Sequence, residues 1–156
     1  MDFKRVSLAA LLSLIIFHPP SALATEKIDE MIENLSKKLV DRNISGFSGL
    51  AADYFVRDPR SPDGLRDKLE PNIQSSFSQI EQIGPILNAS VIKKMMCGER
   101  MAQVIWVAFG EQGHVGLVYW LFNVTGRWSI ANLKFEAQAG PGDFVNTLGP
   151  HLSATC

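Results

Sequence analysis

Three side chains in the sequence are of types that could transfer a proton. Asp53 and Tyr54 are adjacent in a stretch with helical spacing, and His114 opens an apolar stretch near Glu111. A tyrosine and an acid can polarise a carbonyl group and move a proton in a dry pocket. Each residue also has an alternative, structural interpretation. In that interpretation Tyr54 belongs to an apolar stripe, Asp53 faces water and His114 is solvated at a turn. All three are therefore candidate catalytic residues, and none is assigned.

Other chemistries find little support in the sequence. Beyond residue 24 the histidines are His114 and His151, and neither belongs to an H-E-x-x-H motif or to a cysteine–histidine cluster. We therefore expect no metal site. The sequence also lacks a glycine-rich phosphate loop and a dinucleotide fingerprint, so we expect no cofactor.

The two cysteines, Cys97 and Cys156, have two possible roles. In an oxidising compartment the expected state is a disulfide between them. Such a bond would stabilise the fold by roughly 4 kcal/mol in the chain-entropy model. The alternative is a reactive thiol at Cys97, activated by the nearby Arg100.

The N-terminus has the features of an export signal. Lys4 and Arg5 precede an apolar run over residues 6–17, which is shorter than the about 20 residues that cross a bilayer. A proline pair and an Ala-x-Ala site follow, so we predict a signal peptide over residues 1–24, cleaved after Ala24. The short basic head favours a bacterial protein that is periplasmic or secreted, without a membrane anchor after cleavage.

The charge of the mature chain argues against nucleic acid as a partner. Removing Lys4, Arg5 and Asp2 leaves 13 basic and 15 acidic residues, a formal charge of −2. Binding to nucleic acid or to an anionic membrane requires a basic surface. We therefore expect neither.

Apolar residues in the first half of the mature chain recur at helical spacing. One stripe predicts a helix from Thr25 to about Arg42; its members are Ile28, Met31, Ile32, Leu35 and Leu39. Further stripes predict a short second helix over residues 47–55 and a third helical region over residues 65–80, which ends at Gly84-Pro85.

The second half is rich in strand-forming residues. Four stretches, residues 86–96, 101–109, 114–124 and 127–136, are joined by short turns that contain glycine, which predicts an antiparallel meander. The two central stretches are apolar at both alternating positions, whereas a sheet with one wet face alternates between apolar and polar. Both faces of the sheet centre therefore need cover.

This order of elements, together with the segment GRWSIANLKF at residues 126–135, resembles the nuclear transport factor 2-like (cystatin-like cone) superfamily. The likeness covers roughly residues 27–136. It implies an α+β fold in which N-terminal helices pack on one face of a curled four-stranded sheet and enclose a cone-shaped cavity. It implies no single reaction, because the superfamily includes isomerases, dehydratases, polyketide cyclases and non-enzymatic binding domains.

We therefore expect one cone domain over residues 25–139, followed by an irregular tail over residues 140–156, where glycine–proline pairs disfavour regular structure. Within this tail, residues 143–148 could form one helical turn. Aromatic side chains are candidates to line the cavity or an interface. They are Tyr54, Phe55, Trp106, Tyr119, Trp120, Phe122 and Trp128.

Two functions fit these features. The first is a non-catalytic exported domain that binds a small apolar ligand or a protein partner. It would form a homodimer through its sheet, because three helices cover only one face. The second is a small isomerase or dehydratase for an apolar carbonyl compound, with Tyr54 as hydrogen-bond donor and Asp53 or His114 as proton carrier. We favour the first, because isomerases of the superfamily carry an aspartate on a sheet strand and the central strands here have no carboxylate.

Overall fold

In a computed structural model, the chain forms an antiparallel sheet with helices on both faces. The structure describes residues 20–124, 126–139, 144–153 and 155. The helices are α1 (Pro20–Val40), α2 (Ile44–Phe55), α3 (Leu65–Phe77), a 3₁₀ helix (Ser78–Ile83) and α4 (Phe144–Ser153). The strands are β1 (Ile86–Cys97), β2 (Met101–Gly110), β3 (Gly113–Val124) and β4 (Arg127–Ala139). They lie in the order β1-β2-β3-β4 with all neighbours antiparallel, which confirms the predicted α+β meander.

The first three helices pack on one face of the sheet, which we call the inner face. Alternate residues of β2 and β3 bury their side chains in one cluster with the predicted stripe of α1. α1 begins at Pro20, before the predicted cleavage point. Residues 1–19, which make up most of the predicted signal peptide, lie outside the described residues.

An irregularity in β4 changes which of its residues face inward. Ile130 and Asn132 pair with consecutive residues of β3, so Ala131 is an extra residue. One extra residue inverts the alternation of a strand. Leu133 and Phe135 therefore pack against the inner core, although Ile130 before the bulge does so at an even-numbered position.

The opposite, outer face of the sheet is covered by α4. Leu148 of this helix packs on Ile105, Val107 and Val118, each of which is fully buried. The packing of Leu148 on the sheet requires a glycine at position 116 of β3, since a Cβ added there would lie 2.7 Å from Leu148 Cδ1. The tail thus supplies the second layer that the apolar sheet needs.

This helix corrects the expectation of an irregular tail over residues 140–156. Pro150 lies in the last turn of α4, where its missing N–H removes only one intrahelical hydrogen bond. Burial of Leu148 against the sheet offsets that loss. Lys93 of β1 adds a cap, because its Nζ donates to the Leu152 carbonyl oxygen at 2.7 Å, where a cation is favoured by the helix dipole.

The same helix removes the reason given for a homodimer. That reason was that the second face of the sheet would be bare. Over the centre of the sheet this face is not bare, because Leu148 of the same chain covers it. Self-association remains a prediction without this support.

Candidate functional site

A cavity of about 400 Å³ lies between α3 and β4 at the edge of the inner core, and we call it the α3 cavity. Its walls are mainly aromatic and aliphatic, and three of the lining residues are polar. The lining residues are Phe55, Leu69, Asn72, Ile73, Ser76, Phe77, Asn132, Leu133 and Phe135. No charged side chain of the described residues lines it.

Two local features of the sequence build this cavity. On α3 the lining residues fall at positions 69, 72, 73, 76 and 77, which is the spacing of a single helix face. On β4 the bulge at Ala131 turns Leu133 and Phe135 inward, opposite that helix face. The cavity is thus the gap between one helix stripe and the far half of an edge strand.

Two of the phenylalanine rings that line the α3 cavity, Phe77 and Phe135, pack on each other, and Phe47 supports Phe77 from the core. The Phe77 ring lies 4.4 Å from the Phe47 ring and 4.1 Å from the Phe135 ring, measured between centroids. Phe47 and Phe77 are almost fully buried. Ring pairs at such distances gain energy beyond area burial, so these rings are well fixed.

A second cavity of about 320 Å³ lies between α1, the end of α2 and the start of β4, and we call it the arginine pocket. Its lining residues are Glu30, Met31, Tyr54, Arg57, Arg127 and Trp128. The side chains of Met31, Tyr54 and Trp128 form a buried floor, and the three charged residues are exposed. The two cavities share no lining residue.

The candidate proton carrier Asp53 points away from both cavities. Its carboxylate accepts a hydrogen bond from Arg66 Nε at 2.6 Å, and about half of its side chain is exposed. Tyr54, the next residue, is buried and has the Arg57 guanidinium 3.9 Å from its ring centre. The two neighbours on α2 therefore do not act on one bound molecule.

His114 lies on the outer face of the sheet. It pairs with Phe109 and sits at the same parity of β3 as Val118, which contacts α4. Burial lowers the pKa of its imidazole. Tyr54 is part of the inner core, so the sheet separates it from His114 and the predicted pairing of these two groups does not form.

The seven candidate aromatic residues divide among four places. Tyr54 and Trp128 line the arginine pocket, and Phe55 lines the α3 cavity. Trp106 and Tyr119 are buried in the inner core, whereas Trp120 packs near α4. Phe122 shares the parity of Trp120 and therefore also lies on the outer face.

The remaining predictions concern sulfur, metals and membranes. Cys97 is not a free thiol, but Cys156 lies outside the described residues, so their disulfide stays a prediction. Within the described ranges, no group of three or more His, Cys, Asp or Glu residues could hold a metal ion. No helix in these same ranges is both long and apolar enough to cross a membrane.

Sequence reasoning missed most of the α3 cavity. Leu69, Ile73 and Phe77 were interpreted only as a core stripe, although Asn72 and Ser76 interrupt the same helix face with polar groups. A polar residue inside an apolar helix stripe is the signal that could have indicated a cavity wall. The arginine pocket gave no comparable signal, because its residues are far apart in the chain.

Helices on the inner face of an open four-stranded meander, with a cavity at their junction, define a nuclear transport factor 2-like (NTF2-like) α+β fold. A crystal structure from Campylobacter jejuni, provisionally described as an NTF2-like transpeptidase, has this fold with a TM-score of 0.50 and 13% sequence identity. The match covers 65% of this chain and 94% of that one. No protein-family model and no curated protein matches the sequence. At this identity the likeness shows the fold alone.

Proposed function

We propose that this chain is an exported, non-catalytic binding domain that holds a small apolar molecule in the α3 cavity. The observation that carries the proposal is the composition of that cavity, which combines phenylalanine and aliphatic walls with neutral polar groups. Ligand sites are concave and mostly apolar, with a few polar groups that orient the ligand. Export is supported by the signal pattern at residues 1–24.

The lining residues define the chemistry of the ligand. Burying apolar surface against Phe77 and Phe135 supplies most of the binding free energy. The amide of Asn72 can donate and accept hydrogen bonds, so a neutral ligand with one or two polar atoms suits it. A charged ligand would lose its hydration among apolar walls without an opposite charge, so the cavity selects against ions.

The placement of the titratable groups supports a role without catalysis. Asp53 is engaged by Arg66 and faces solvent, and His114 lies on the other side of the sheet. A general acid or base must reach the reacting atoms within hydrogen-bond distance or through one water molecule. No Asp, Glu, His, Lys or Tyr of the described residues lines the α3 cavity.

Binding can be tested with the neutral fluorescent probe N-phenyl-1-naphthylamine, whose emission rises in apolar surroundings. We expect saturable binding of one probe per chain. Asn72→Trp places a bulky ring at the cavity wall and should weaken binding by about tenfold or more, equivalent to about 1.4 kcal/mol.

Gln74→Trp is the matched control, because Gln74 is an exposed residue of the same helix that does not line the cavity. It should bind the probe like the wild type. Equal binding by both variants would show that the probe sits elsewhere and would overturn the proposal.

A further inference from the structure

We propose that the arginine pocket is a second, separate binding site, and that it takes a small aromatic monocarboxylate. The α3 cavity has no charge, whereas this pocket presents two guanidinium groups above a buried aromatic floor. The two sites therefore recognise different chemical classes. The proposal does not depend on the function of the α3 cavity.

Neither arginine of this pocket is paired with an acidic side chain of the described residues. Arg60 is neutralised by Asp58 at 2.7 Å, and Arg66 is neutralised by Asp53 at 2.6 Å. The guanidinium groups of Arg57 and Arg127, by contrast, have no ion pair or hydrogen bond with any part of the chain that the structure describes. Guanidinium groups without protein partners can bind a carboxylate through two parallel N–H bonds.

The guanidinium of Arg57 is held in place by an aromatic ring. The Arg57 guanidinium lies 3.9 Å from the centre of the Tyr54 ring, a cation–π contact. Stacking uses the face of the guanidinium, and its N–H groups point outward in the guanidinium plane. The ring therefore orients Arg57 without consuming its hydrogen-bond donors.

The floor of the pocket specifies the rest of the ligand. Tyr54, Trp128 and Met31 are only 4%, 2% and 2% exposed, so they close the base of the charged opening with the small parts of their side chains that reach it. A small ring that touches these parts would gain favourable ring–ring and ring–sulfur contacts. A carboxylate attached to that ring would lie at the level of the arginines.

Glu30 limits the charge of the ligand. Its carboxylate lines the same pocket, so the three charged residues sum to a formal charge of +1. A monoanion neutralises this charge, whereas a polyphosphate would be repelled by Glu30 and would exceed the available cations. The pocket therefore suits a single carboxylate on an aromatic body.

A pair of isosteric probes tests this site. The carboxylate 2-naphthoate and the neutral amide 2-naphthamide have the same ring and nearly the same shape. We expect 2-naphthoate to bind about tenfold more tightly to the wild-type protein, because only the carboxylate forms charge-assisted bonds. Equal affinity for the two probes would overturn the proposal.

Substitutions locate the binding site. Arg57→Gln and Arg127→Gln should each weaken 2-naphthoate binding by about tenfold. Arg100→Gln is the matched control, because Arg100 is exposed and does not line the pocket. A similar loss in all three variants would indicate general attraction to surface charge and would contradict the assigned site.

N-phenyl-1-naphthylamine separates this proposal from the first one. Arg57→Gln and Arg127→Gln should bind the neutral probe like the wild type, which also shows that both variants are folded. Asn72→Trp should bind 2-naphthoate like the wild type. If Asn72→Trp abolished 2-naphthoate binding, the carboxylate would occupy the α3 cavity, and the arginine pocket would not be a site.

Discussion

At the scale of single residues, Tyr119 is a polar side chain inside the inner core. It is fully buried, and its hydroxyl has no hydrogen-bond partner among the residues that the structure describes. Burial also raises the pKa of this phenol far above its usual value, so it stays neutral. A buried polar group without a partner costs about 1–3 kcal/mol.

Tyr119→Phe should therefore stabilise the protein. Removing the hydroxyl leaves the ring packing intact, and we expect the free energy of unfolding to rise by about 1 kcal/mol. Denaturant titration of both proteins measures this difference. Lower stability of the variant would show that the hydroxyl has a partner in solution, such as a bound water molecule.

At the scale of elements, the sheet is stable in solution only if both of its faces are covered, and α4 covers the outer one. Ile105, Val107 and Val118 form an apolar patch that becomes exposed if this helix is released. Leu148 of α4 packs on the patch. The helix is therefore an internal substitute for a second protomer.

Leu148→Ala should loosen α4 and promote self-association. Deleting a buried leucine side chain costs about 2–5 kcal/mol, which is comparable to the docking energy of a short helix. We expect the variant to form larger species than the wild type in size-exclusion chromatography with light scattering. Leu152→Ala is the control, because Leu152 is exposed on the same helix, and it should match the wild type. Equal masses for the wild type and for Leu148→Ala would contradict this account.

The contact of α4 with the sheet should also depend on pH through His151. Its ring meets Trp120 edge-on, and its Nε2 lies 3.4 Å from Lys134 Nζ. Burial, and next the charge of Lys134, lower the pKa of His151 below its usual 6.5, while Glu136 acts in the opposite direction. The docked helix therefore favours neutral His151, and the released helix favours the protonated form.

The sign of the effect follows from proton linkage. Because the pKa is lower in the folded state, the unfolded chain binds more protons below about pH 6.5, and stability falls as the pH drops further. Acidification from pH 7.5 to 5.5 should thus lower the thermal midpoint. His151→Gln should show a smaller drop, and because His114 is present in both proteins, the difference isolates His151. Parallel profiles for the two proteins would rule out this role for His151.

The same elements show how far the sequence could predict the structure. Helical spacing and strand composition were sufficient to predict α1, α2 and the meander, because in these elements the local structural preference of the residues agrees with the pattern of burial. For α4 they indicated no more than a turn over residues 143–148, because Gly149 and Pro150 argue locally against a helix and packing of Leu148 on the distant sheet offsets them. They also missed the α3 cavity, since the bulge at Ala131 depends on pairing with β3 and is not visible in strand periodicity.

At the scale of the whole molecule, the two faces of the sheet differ in what they pack against. The inner side holds the α3 cavity, and the outer side is closed by the C-terminal helix. The predicted disulfide would connect β1 to the segment that follows α4, because Cys97 ends β1 and Cys156 lies after α4 in the sequence. A covalent link there would keep α4 close to the sheet.

Replacing Cys156 with serine should reduce stability if this disulfide forms. The chain-entropy model gives a loss of roughly 4 kcal/mol of stability for the loop that Cys97 and Cys156 would close. Intact mass under non-reducing conditions detects the bond, and thermal denaturation with and without reductant measures its effect. A wild-type mass that corresponds to two free thiols would rule out the disulfide.

The function proposed for this fold depends on where the apolar ligand binds, and methyl NMR locates it. On titration with N-phenyl-1-naphthylamine, we predict saturable shifts for the methyl groups of Leu69, Ile73 and Leu133, which line the α3 cavity. The methyl groups of Ile105 and Leu148, which are buried on the outer face, should not shift. Shifts confined to the outer face, or no saturable shifts in the α3 cavity, would contradict the account.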